Sequence, residues 1–412
     1  MRTTAETLKS QVLDRIATYR DDMLQFTQQL VAIATENPPG AFYRPCVDAI
    51  QGKLAELGLD YEVIEVSHHA AENASGKFPR YCILSHYGAG ERILYFHGHY
   101  DVVPAVSKEQ FQPFVKGGNL FGRGSSDMKS GLAAMIYAVK AIQAAHVELD
   151  GQIGLTIVPD EETGGKLGSQ YLSEQGMLGR GGIGMLLAEP TGGVVWNANR
   201  GAISLRVIVK GKPAHVGLQY QGVNAFEKML IAANALLELK KEVELRRTDY
   251  NLDPDAARLS IMMLGGRCEG GSSFNLVPGE CVFTIDRRIN PEENLEIEKK
   301  KILELLGALK SKGIDLEVEM LQQGESAGTP EDHALAQRLA GNIERIKGKR
   351  PKFELCPGLL ENRFYAKAGV PALAYGPGLL TVSHGPNEFV KIEEIYHCAS
   401  IYALTALDVL VN

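Results

Sequence analysis

The stretch RILYFHGHYDVV at residues 92–103 decides the fold, because a near-continuous apolar run here ends in histidine and aspartate. Two further apolar runs, at 152–158 (QIGLTIV) and 182–188 (GIGMLLA), have the same form, whereas 61–66 (YEVIEV) alternates. Short apolar runs of this length are typical of strands that helices cover on both faces of a parallel sheet. Residues 127–143 carry apolar side chains at helical spacing. The sequence therefore predicts an α/β domain with a central, mostly parallel sheet flanked by helices.

A second pattern begins near residue 200, where the predicted order of elements becomes βαββαβ. The predicted strands are 203–209, 259–264, 280–287 and 315–321, and the predicted helices are 224–246 and 291–312. This order is that of a small, self-contained ferredoxin-like unit. Helix 333–346, strand 372–375 and helix 393–410 then continue the first pattern. We therefore predict a discontinuous α/β domain at 1–200 and 322–412, with a second domain, 201–321, inserted into it.

Composition excludes several classes of protein. The 412 residues have a net charge of −7 and no basic stripe with interleaved aromatics, so a nucleic-acid-binding role is not expected. No apolar run reaches the roughly 18 residues of a membrane-spanning helix. The six cysteines lie far apart without C-x-x-C spacing, which indicates free thiols in a reducing compartment. We expect a cytoplasmic, multidomain enzyme.

Histidines and carboxylates cluster at the ends of the predicted strands. Five such clusters contain His99 with Asp101, then Asp127, then the 160–162 run DEE, then Glu189, and finally His384. In an open α/β sheet, ligands bind at the carboxyl ends of the strands. Each cluster alone is weak evidence for a functional site. Two imidazoles and several carboxylates that converge on one edge of the sheet, however, predict a metal site. Mixed nitrogen and oxygen ligation suits Zn²⁺, with Mn²⁺ or Co²⁺ as substitutes.

The order and spacing of five motifs resemble the M20 metallopeptidases, a group that includes acetylornithine deacetylase, succinyl-diaminopimelate desuccinylase, aminoacylase and carboxypeptidase G. The motifs are HYDVVP (99–104), GRGSSDMK (122–129), DEETG (160–164), EPT (189–191) and HGPNE (384–388). The likeness covers almost the whole chain. It implies that the inserted domain serves as a lid and dimerisation domain, and that the protein is a homodimer.

The resemblance also implies a role for each metal-site residue. His99 and Glu189 would bind one divalent ion, His384 and Glu162 would bind a second, and the carboxylate of Asp127 would bridge both ions. A bridging carboxylate makes physical sense because it places negative charge between two dications that repel each other.

Two further carboxylates near these ligands are expected to act in catalysis. Asp101 would orient His99 and raise its basicity. Glu161, next to the ligand Glu162, would be the general base that takes a proton from the attacking water and delivers it to the leaving amine. An acidic turn that caps a following helix is the alternative interpretation of this segment, and it fits Asp160 better than Glu161.

Three residues outside these motifs are candidates for substrate contact. By resemblance, His215 in GKPAHVG would cross a dimer interface and stabilise the developing oxyanion, unless it is a loop histidine bonded locally. Asn275 in SSFNLVP would contact the substrate region or only support a turn. Arg363, whose planar guanidinium suits bidentate capture of a carboxylate, would hold the substrate's α-carboxylate. A surface salt bridge is the alternative for Arg363.

The leading hypothesis is a dinuclear metal hydrolase that cleaves the amide bond of an N-acyl amino acid. By the same resemblance, Glu rather than Asp at position 189 favours a deacylase over an aminopeptidase. An exopeptidase of the same family, a carboxypeptidase or dipeptidase, stays open. A catalytically silent dimeric binding protein and a zinc aminopeptidase of another family are the remaining alternatives, and both fit the motifs less well.

Overall fold

A computed structural model of the protein describes residues 5–66 and 78–411. Along these residues the helices are α1 (Ala5–Thr18), α2 (Arg20–Val31), α3 (Tyr43–Glu56), α4 (Lys129–Ala144), α5 (Tyr171–Glu174), α6 (Ala225–Val243), α7 (Leu295–Ser311), α8 (Ala334–Lys347), α9 (Asn362–Lys367) and α10 (Ile392–Leu410). None of these helices combines the length and the apolar character that a membrane crossing requires.

The strands of the described residues form three sheets. In chain order they are β1 (Tyr61–Val66), β2 (Arg80–Ala89), β3 (Ile93–His99), β4 (Phe114–Lys116), β5 (Asn119–Phe121), β6 (Gly151–Val158), β7 (Gly182–Leu187), β8 (Val195–Asn199), β9 (Gly201–Lys210), β10 (Ile261–Gly270), β11 (Glu280–Ile289), β12 (Leu316–Gly324), β13 (Ala327–Gly328), β14 (Phe353–Cys356), β15 (Ala372–Ala374) and β16 (Phe389–Lys391).

The chain divides into two compact units, which are described separately. The first comprises Met1–Asn197, Gly328–Phe353 and Phe364–Asn412. At the centre of its sheet, β6, β3, β7 and β15 lie side by side and run parallel. Strand β2 pairs antiparallel with β6 on one side and with β1 on the other. The predicted parallel sheet is confirmed, and β2 is an antiparallel element that the sequence analysis did not identify.

Helix α4 covers this sheet because its residues are apolar almost all around. Thirteen of its sixteen residues are buried, including Leu132, Met135 and Ile136. Gly131 allows the helix to approach the end of β7, since a Cβ atom there would lie 2.5 Å from the carbonyl oxygen of Ala188. The start of α4 is therefore fixed beside the carboxyl end of β7. Helix α10 packs against α4 and is also largely buried.

The second unit comprises Ala198–Ala327 and Glu354–Arg363. Its sheet has the order β10-β11-β9-β12, with every neighbour antiparallel. With α6 after β9 and α7 after β11, the chain order is βαββαβ, the ferredoxin-like arrangement that the sequence predicts. Its core is apolar and includes Leu205, Val207, Leu236, Phe283 and Leu306.

Several element bounds differ from the predicted ones. Strand β3 ends at His99, four residues before the predicted end, because the backbone of Val102 pairs with Thr35 and Asn37 instead of with a strand of the sheet. Strand β10 extends to Gly270, past the predicted end at 264, through a register shift between Leu264 and Cys268. The structure groups residues 354–363 with the second unit, whereas the sequence assigns them to the first domain. The functional roles of the two domains stay predictions.

Candidate metal centre

Three parallel strands of the first unit end at the same edge of the sheet and present acidic or imidazole side chains there. Strand β3 ends at His99, β6 is followed by residues 160–162, and β7 is followed by Glu189. The carboxyl ends of neighbouring parallel strands are where open α/β sheets bind ligands. Asp127, two residues before the start of α4, and His384, in the loop before β16, complete the group.

One group of possible metal ligands contains His99, Asp127 and Glu189, and all three are buried. The Nε2 atom of His99 lies 3.3 Å from Oδ1 of Asp127 and 3.6 Å from Oε1 of Glu189. The other ring nitrogen, Nδ1, lies 3.0 Å from the main-chain oxygen of Asp101. This contact makes Nδ1 a hydrogen-bond donor and directs Nε2 toward the two carboxylates, where it can hold either a proton or a cation.

The other group contains Asp127, Glu162 and His384. The Nε2 atom of His384 lies 3.4 Å from Oδ2 of Asp127 and 3.2 Å from Oε2 of Glu162. Asp127 therefore faces one histidine with each of its carboxylate oxygens. The structure brings together all five predicted metal ligands, with Asp127 in the shared position.

The residues fit a divalent cation on chemical grounds. Oδ1 of Asp127 and Oε1 of Glu189 are buried and accept no hydrogen bond. A buried carboxylate oxygen without a donor is costly, and in a native protein it calls for an ion or a water molecule. Two imidazoles and three carboxylates form the mixed nitrogen and oxygen set that suits Zn²⁺ and related divalent ions.

The pKa values of these groups show how strongly the cluster attracts positive charge. Contacts with Asp127 and Glu162 raise the pKa of His384 to about 10. Burial opposes the charged form of His99, but contacts with Asp101 and Asp127 raise its pKa well above the ordinary value. Burial and the charge of Asp127 raise the pKa of Glu189 well above its usual range. A divalent cation would supply this positive charge and replace protons on the ligands.

A buried network sets the position of the 160–162 segment. Asp101 accepts hydrogen bonds from the backbone N–H groups of Glu161 and Glu162, each at 3.2 Å. Asn37 donates to Asp101 at 2.9 Å and to Asp160 at 3.1 Å. The carboxylate of Asp101 lies 3.4 Å from Nδ1 of His99, whereas the main-chain oxygen of Asp101 lies 3.0 Å from the same atom. Asp101 thus contacts both the histidine and the backbone of the acidic run, and its catalytic role stays a prediction.

Asp160 is an anchor for the same segment, with φ at +66° in the left-handed region. Its carboxylate accepts from Nε of Arg80 at 3.0 Å and from the hydroxyl of Tyr43 at 2.9 Å. The side chains of Arg80 and Asp160 are both nearly buried, so this is a buried ion pair. Burial, followed by the charge of Asp101, raises the pKa of Asp160. These contacts hold a strained residue directly before Glu161.

The remaining predicted residues belong to the second unit. His215 is exposed, and its Nδ1 atom accepts from the N–H of Gly217 at 3.1 Å. The N–H of Val216 donates to the carbonyl oxygen of Asn275 at 2.9 Å, so His215 and Asn275 lie on adjoining segments. Arg363 donates to the carbonyl oxygen of Leu360 at 2.6 Å. The roles of these three residues in catalysis and substrate binding stay predictions.

Several buried residues support the ligands although the sequence had not marked them as site residues. Glu388 and Arg123 lie within the HGPNE and GRGSSDMK motifs, and the structure buries both beside Asp127. Arg80 and Tyr43 lie in no motif and reach Asp160 only through the fold. The position of Glu388, four residues after a ligand histidine in the same motif, could have identified it as a supporting residue. No pattern in the sequence predicts the contacts of Arg80 and Tyr43 with Asp160.

Comparison with protein families and curated proteins yields consistent matches. The model of peptidase family M20/M25/M40 matches residues 95–408. The succinyl-diaminopimelate desuccinylase of Hahella chejuensis is 30% identical over 369 residues, which cover 87% of this chain and 90% of that protein. The desuccinylase of Thioalkalivibrio sulfidiphilus is 28% identical and covers 92% of this chain and 97% of its own length.

Solved structures share the fold at low sequence identity. The dipeptidase Dug1p of Saccharomyces cerevisiae has a TM-score of 0.76 at 15% identity and covers 98% of each chain. The M20 metallo-carboxypeptidase Sso-CP2 of Sulfolobus solfataricus has a TM-score of 0.75 at 16% identity, covering 93% of this chain and 98% of its own. The family match extends over the motifs that contribute the metal-site residues. The chain belongs to peptidase family M20/M25/M40 and is a hydrolase that acts on amide bonds.

Proposed function

We propose that the protein is a two-metal hydrolase that cleaves the amide bond of an N-acyl amino acid. The observation that supports this proposal is the shared position of Asp127. Its two oxygens face His99 and His384 separately, and each histidine has a second carboxylate of its own. A carboxylate between two ligand groups suits two neighbouring dications, because it places negative charge between ions that repel each other.

The ligands divide into two sets around that carboxylate. His99 and Glu189 would hold one ion, His384 and Glu162 the other, and Asp127 would contact both. When bound, divalent ions polarise the amide carbonyl and lower the pKa of a water molecule toward neutrality. The donor set favours Zn²⁺, with Mn²⁺ and Co²⁺ as alternatives.

Glu161 is the proposed general base. Two observations support this role: the backbone N–H of Glu161 donates to Asp101, and the charge of Glu161 contributes to the raised pKa of Glu189. Glu161 would accept a proton from the water that attacks the amide carbon. It would then donate that proton to the amine nitrogen as the C–N bond breaks. The products are one carboxylate and one ammonium group. One proton of the water reaches the amine through Glu161, and the proton that the new carboxyl group loses gives the amine its second, so atoms and charge balance.

The proposed substrate follows from the curated relatives and from the second unit. Succinyl-diaminopimelate desuccinylases remove an acyl group by hydrolysis of an amide, and two of them match along most of this chain. Arg363 is proposed to bind the α-carboxylate of the amino acid. His215 is proposed to reach the active site of a second copy in a homodimer and to donate to the developing oxyanion, with Asn275 beside it.

A substrate panel tests this function. Purified protein with added Zn²⁺, Mn²⁺ or Co²⁺ is assayed on N-succinyl, N-acetyl, N-formyl and N-carbamoyl amino acids and on dipeptides, and amine release is measured. We expect N-acyl amino acids to be cleaved, and Glu161→Gln to lower kcat by about 10²- to 10⁴-fold while metal content is kept. Glu174→Gln, an exposed change on α5, is the matched control.

The outcomes separate the candidate functions. Cleavage of dipeptides with no turnover of N-acyl amino acids would support an exopeptidase of the same family instead. Near-normal turnover by Glu161→Gln would remove Glu161 as the base. Loss of metal from that variant would mean that Glu161 supports the ligands and does not act on the water.

A further inference from the structure

Glu388 places its carboxylate inside the loop that carries Asp127. Its Oε1 atom accepts three backbone hydrogen bonds, from the N–H groups of Gly124 (3.0 Å), Ser126 (3.0 Å) and Asp127 (3.1 Å). Several backbone N–H groups that converge on one oxygen make a strong anion-binding concavity. The side chain of Glu388 therefore fixes the backbone of the residue that faces both histidines.

The second oxygen of Glu388 connects this loop to His384. Its Oε2 atom accepts from Nη1 of Arg123 at 2.5 Å, and Nη2 of Arg123 donates to the carbonyl oxygen of His384 at 3.1 Å. The side chains of Arg123 and Glu388 are each 1% exposed. One buried ion pair thus holds the backbones of Asp127 and His384 together.

The three-stranded sheet of β4, β5 and β16 explains why the loops that carry Asp127 and His384 meet. Strands β5 and β16 pair antiparallel, with Phe121 opposite Phe389. The loop with Asp127 follows β5, and Glu388 directly precedes β16, so the pairing brings Glu388 to the start of that loop. The N–H of Gly122 donates to the carbonyl oxygen of Glu388 at 3.1 Å and closes the ring of contacts.

His384 needs such support more than His99 does. Its side chain is 49% exposed, and its backbone has a φ of +64° in the left-handed region, where non-glycine residues are uncommon. Gln110 also supports this loop, since its side chain donates to the carbonyl oxygen of Gly385 at 3.0 Å. Arg123 contacts both the carbonyl oxygen of His384 and the carboxylate of Glu388, which in turn accepts from the N–H of Asp127.

We propose that Glu388 and Arg123 are positioning residues for one of the two metal ions, the ion between Asp127, Glu162 and His384. They act through the backbones of Asp127 and His384 and set the separation of these two ligands. The ion at His99 and Glu189 depends on them less, because those ligands lie at the ends of strands β3 and β7. This inference rests on the proposed two-ion centre.

Metal titration of Glu388→Gln tests the proposal. The variant keeps the shape of the side chain but removes its charge and the ion pair with Arg123. Metal-free protein is titrated with Zn²⁺ against a competing chelator, and bound zinc is counted by elemental analysis. We expect the wild type to bind two ions, and the variant to bind one ion nearly as before and the other with a Kd raised about 10- to 100-fold. Raising the zinc concentration should restore kcat without a change in KM.

Two further variants make the result decisive. Glu393→Gln, an exposed glutamate paired with Arg20, is the matched control and should leave both affinities unchanged. Arg123→Lys keeps the positive charge and loses the two-pronged contact, so it should raise the same Kd by a smaller factor. It replaces Glu388→Gln as the deciding variant if that protein does not fold.

The outcomes distinguish this inference from the function it rests on. If the wild type binds two ions and both variants bind them with unchanged affinities, the positioning role is wrong and the two-ion centre stands. If both sites weaken equally, Glu388 supports the centre as a whole, and its assignment to one ion is wrong. If the wild type itself does not bind two ions, the proposed function fails, and this inference fails with it.

Discussion

The two histidines of the centre occupy similar places relative to Asp127 but are held in different ways. His99 is the last residue of strand β3, its side chain is 1% exposed, and its ring is fixed by a hydrogen bond to the Asp101 main chain. His384 lies in a loop, is 49% exposed and has a left-handed backbone. The sheet holds the first histidine, whereas a buried ion pair between two other residues holds the second.

This difference shows that equivalent ligands need not be equally rigid. Sheet hydrogen bonds and a covering helix fix His99 through many interactions, so a single substitution nearby changes its position little. The position of His384 depends on a few polar contacts, above all those of Arg123 and Glu388. We therefore expect the His384 side of the centre to be the more easily disrupted one, and also the side that is open to solvent.

The largest effect should come from the residue that the two sides share. Asp127→Ala removes a carboxylate oxygen from both ligand groups at once. We expect loss of both ions and a fall in kcat of at least about 10³-fold. Without the ions, the attacking water and the substrate carbonyl would no longer be held in position beside Glu161. Elemental analysis of the purified variant checks this. Full retention of two ions would refute the shared position of Asp127.

Replacing each histidine in turn tests whether the two sides of the centre are anchored differently. His99→Ala leaves buried polar partners unpaired, so the metal-free protein should lose about 1–3 kcal/mol in free energy of unfolding. His384→Ala also leaves two carboxylates without their imidazole, but its side chain is half exposed and water can reach them, so it should cost less than His99→Ala. Each variant should keep the ion of the other side. Chemical denaturation in chelator and zinc counting measure both effects, and equal costs would show that the two sides are anchored alike.

A smaller effect is expected from the network around Asp101 that positions the acidic run 160–162. Asp160→Asn weakens the ion pair with Arg80 and loosens the residue directly before Glu161. We expect kcat to fall about 10-fold, a loss typical of a supporting residue, with KM and zinc content unchanged. Asp48→Asn, at an exposed ion pair with Arg44, is the control. Loss of zinc from Asp160→Asn with normal kcat at saturating metal would assign Asp160 to metal binding instead.

Much of the fold followed from sequence patterns. Apolar runs predicted β3, β6 and β7 as strands of a parallel sheet, and helical spacing predicted α4 and the helices of the ferredoxin-like unit. Strand β2 was not identified, although RYCILSHYGA at its residues contains a buried apolar start. Its second half is polar and glycine-containing, so periodicity alone gave no clear signal there.

The ligand set could be predicted because each ligand follows a strand or stands in a motif. His99, Glu162 and Glu189 come shortly after apolar runs, and parallel strands bring such positions to one edge. Asp160 and Glu388 also lie in motifs, but their function depends on partners distant in the chain, such as Arg80 and the backbone N–H groups of residues 124–127. Contacts of this kind arise from tertiary structure, and no local pattern encodes them.

The central claim is that Asp127 lies between two metal ions. The most direct test is a crystal structure of the zinc-loaded protein with anomalous scattering at the zinc edge. We predict two anomalous peaks, one beside His99 and Glu189 and one beside His384 and Glu162, each in contact with a different oxygen of Asp127. A single peak, or two peaks that Asp127 does not contact, would contradict the account.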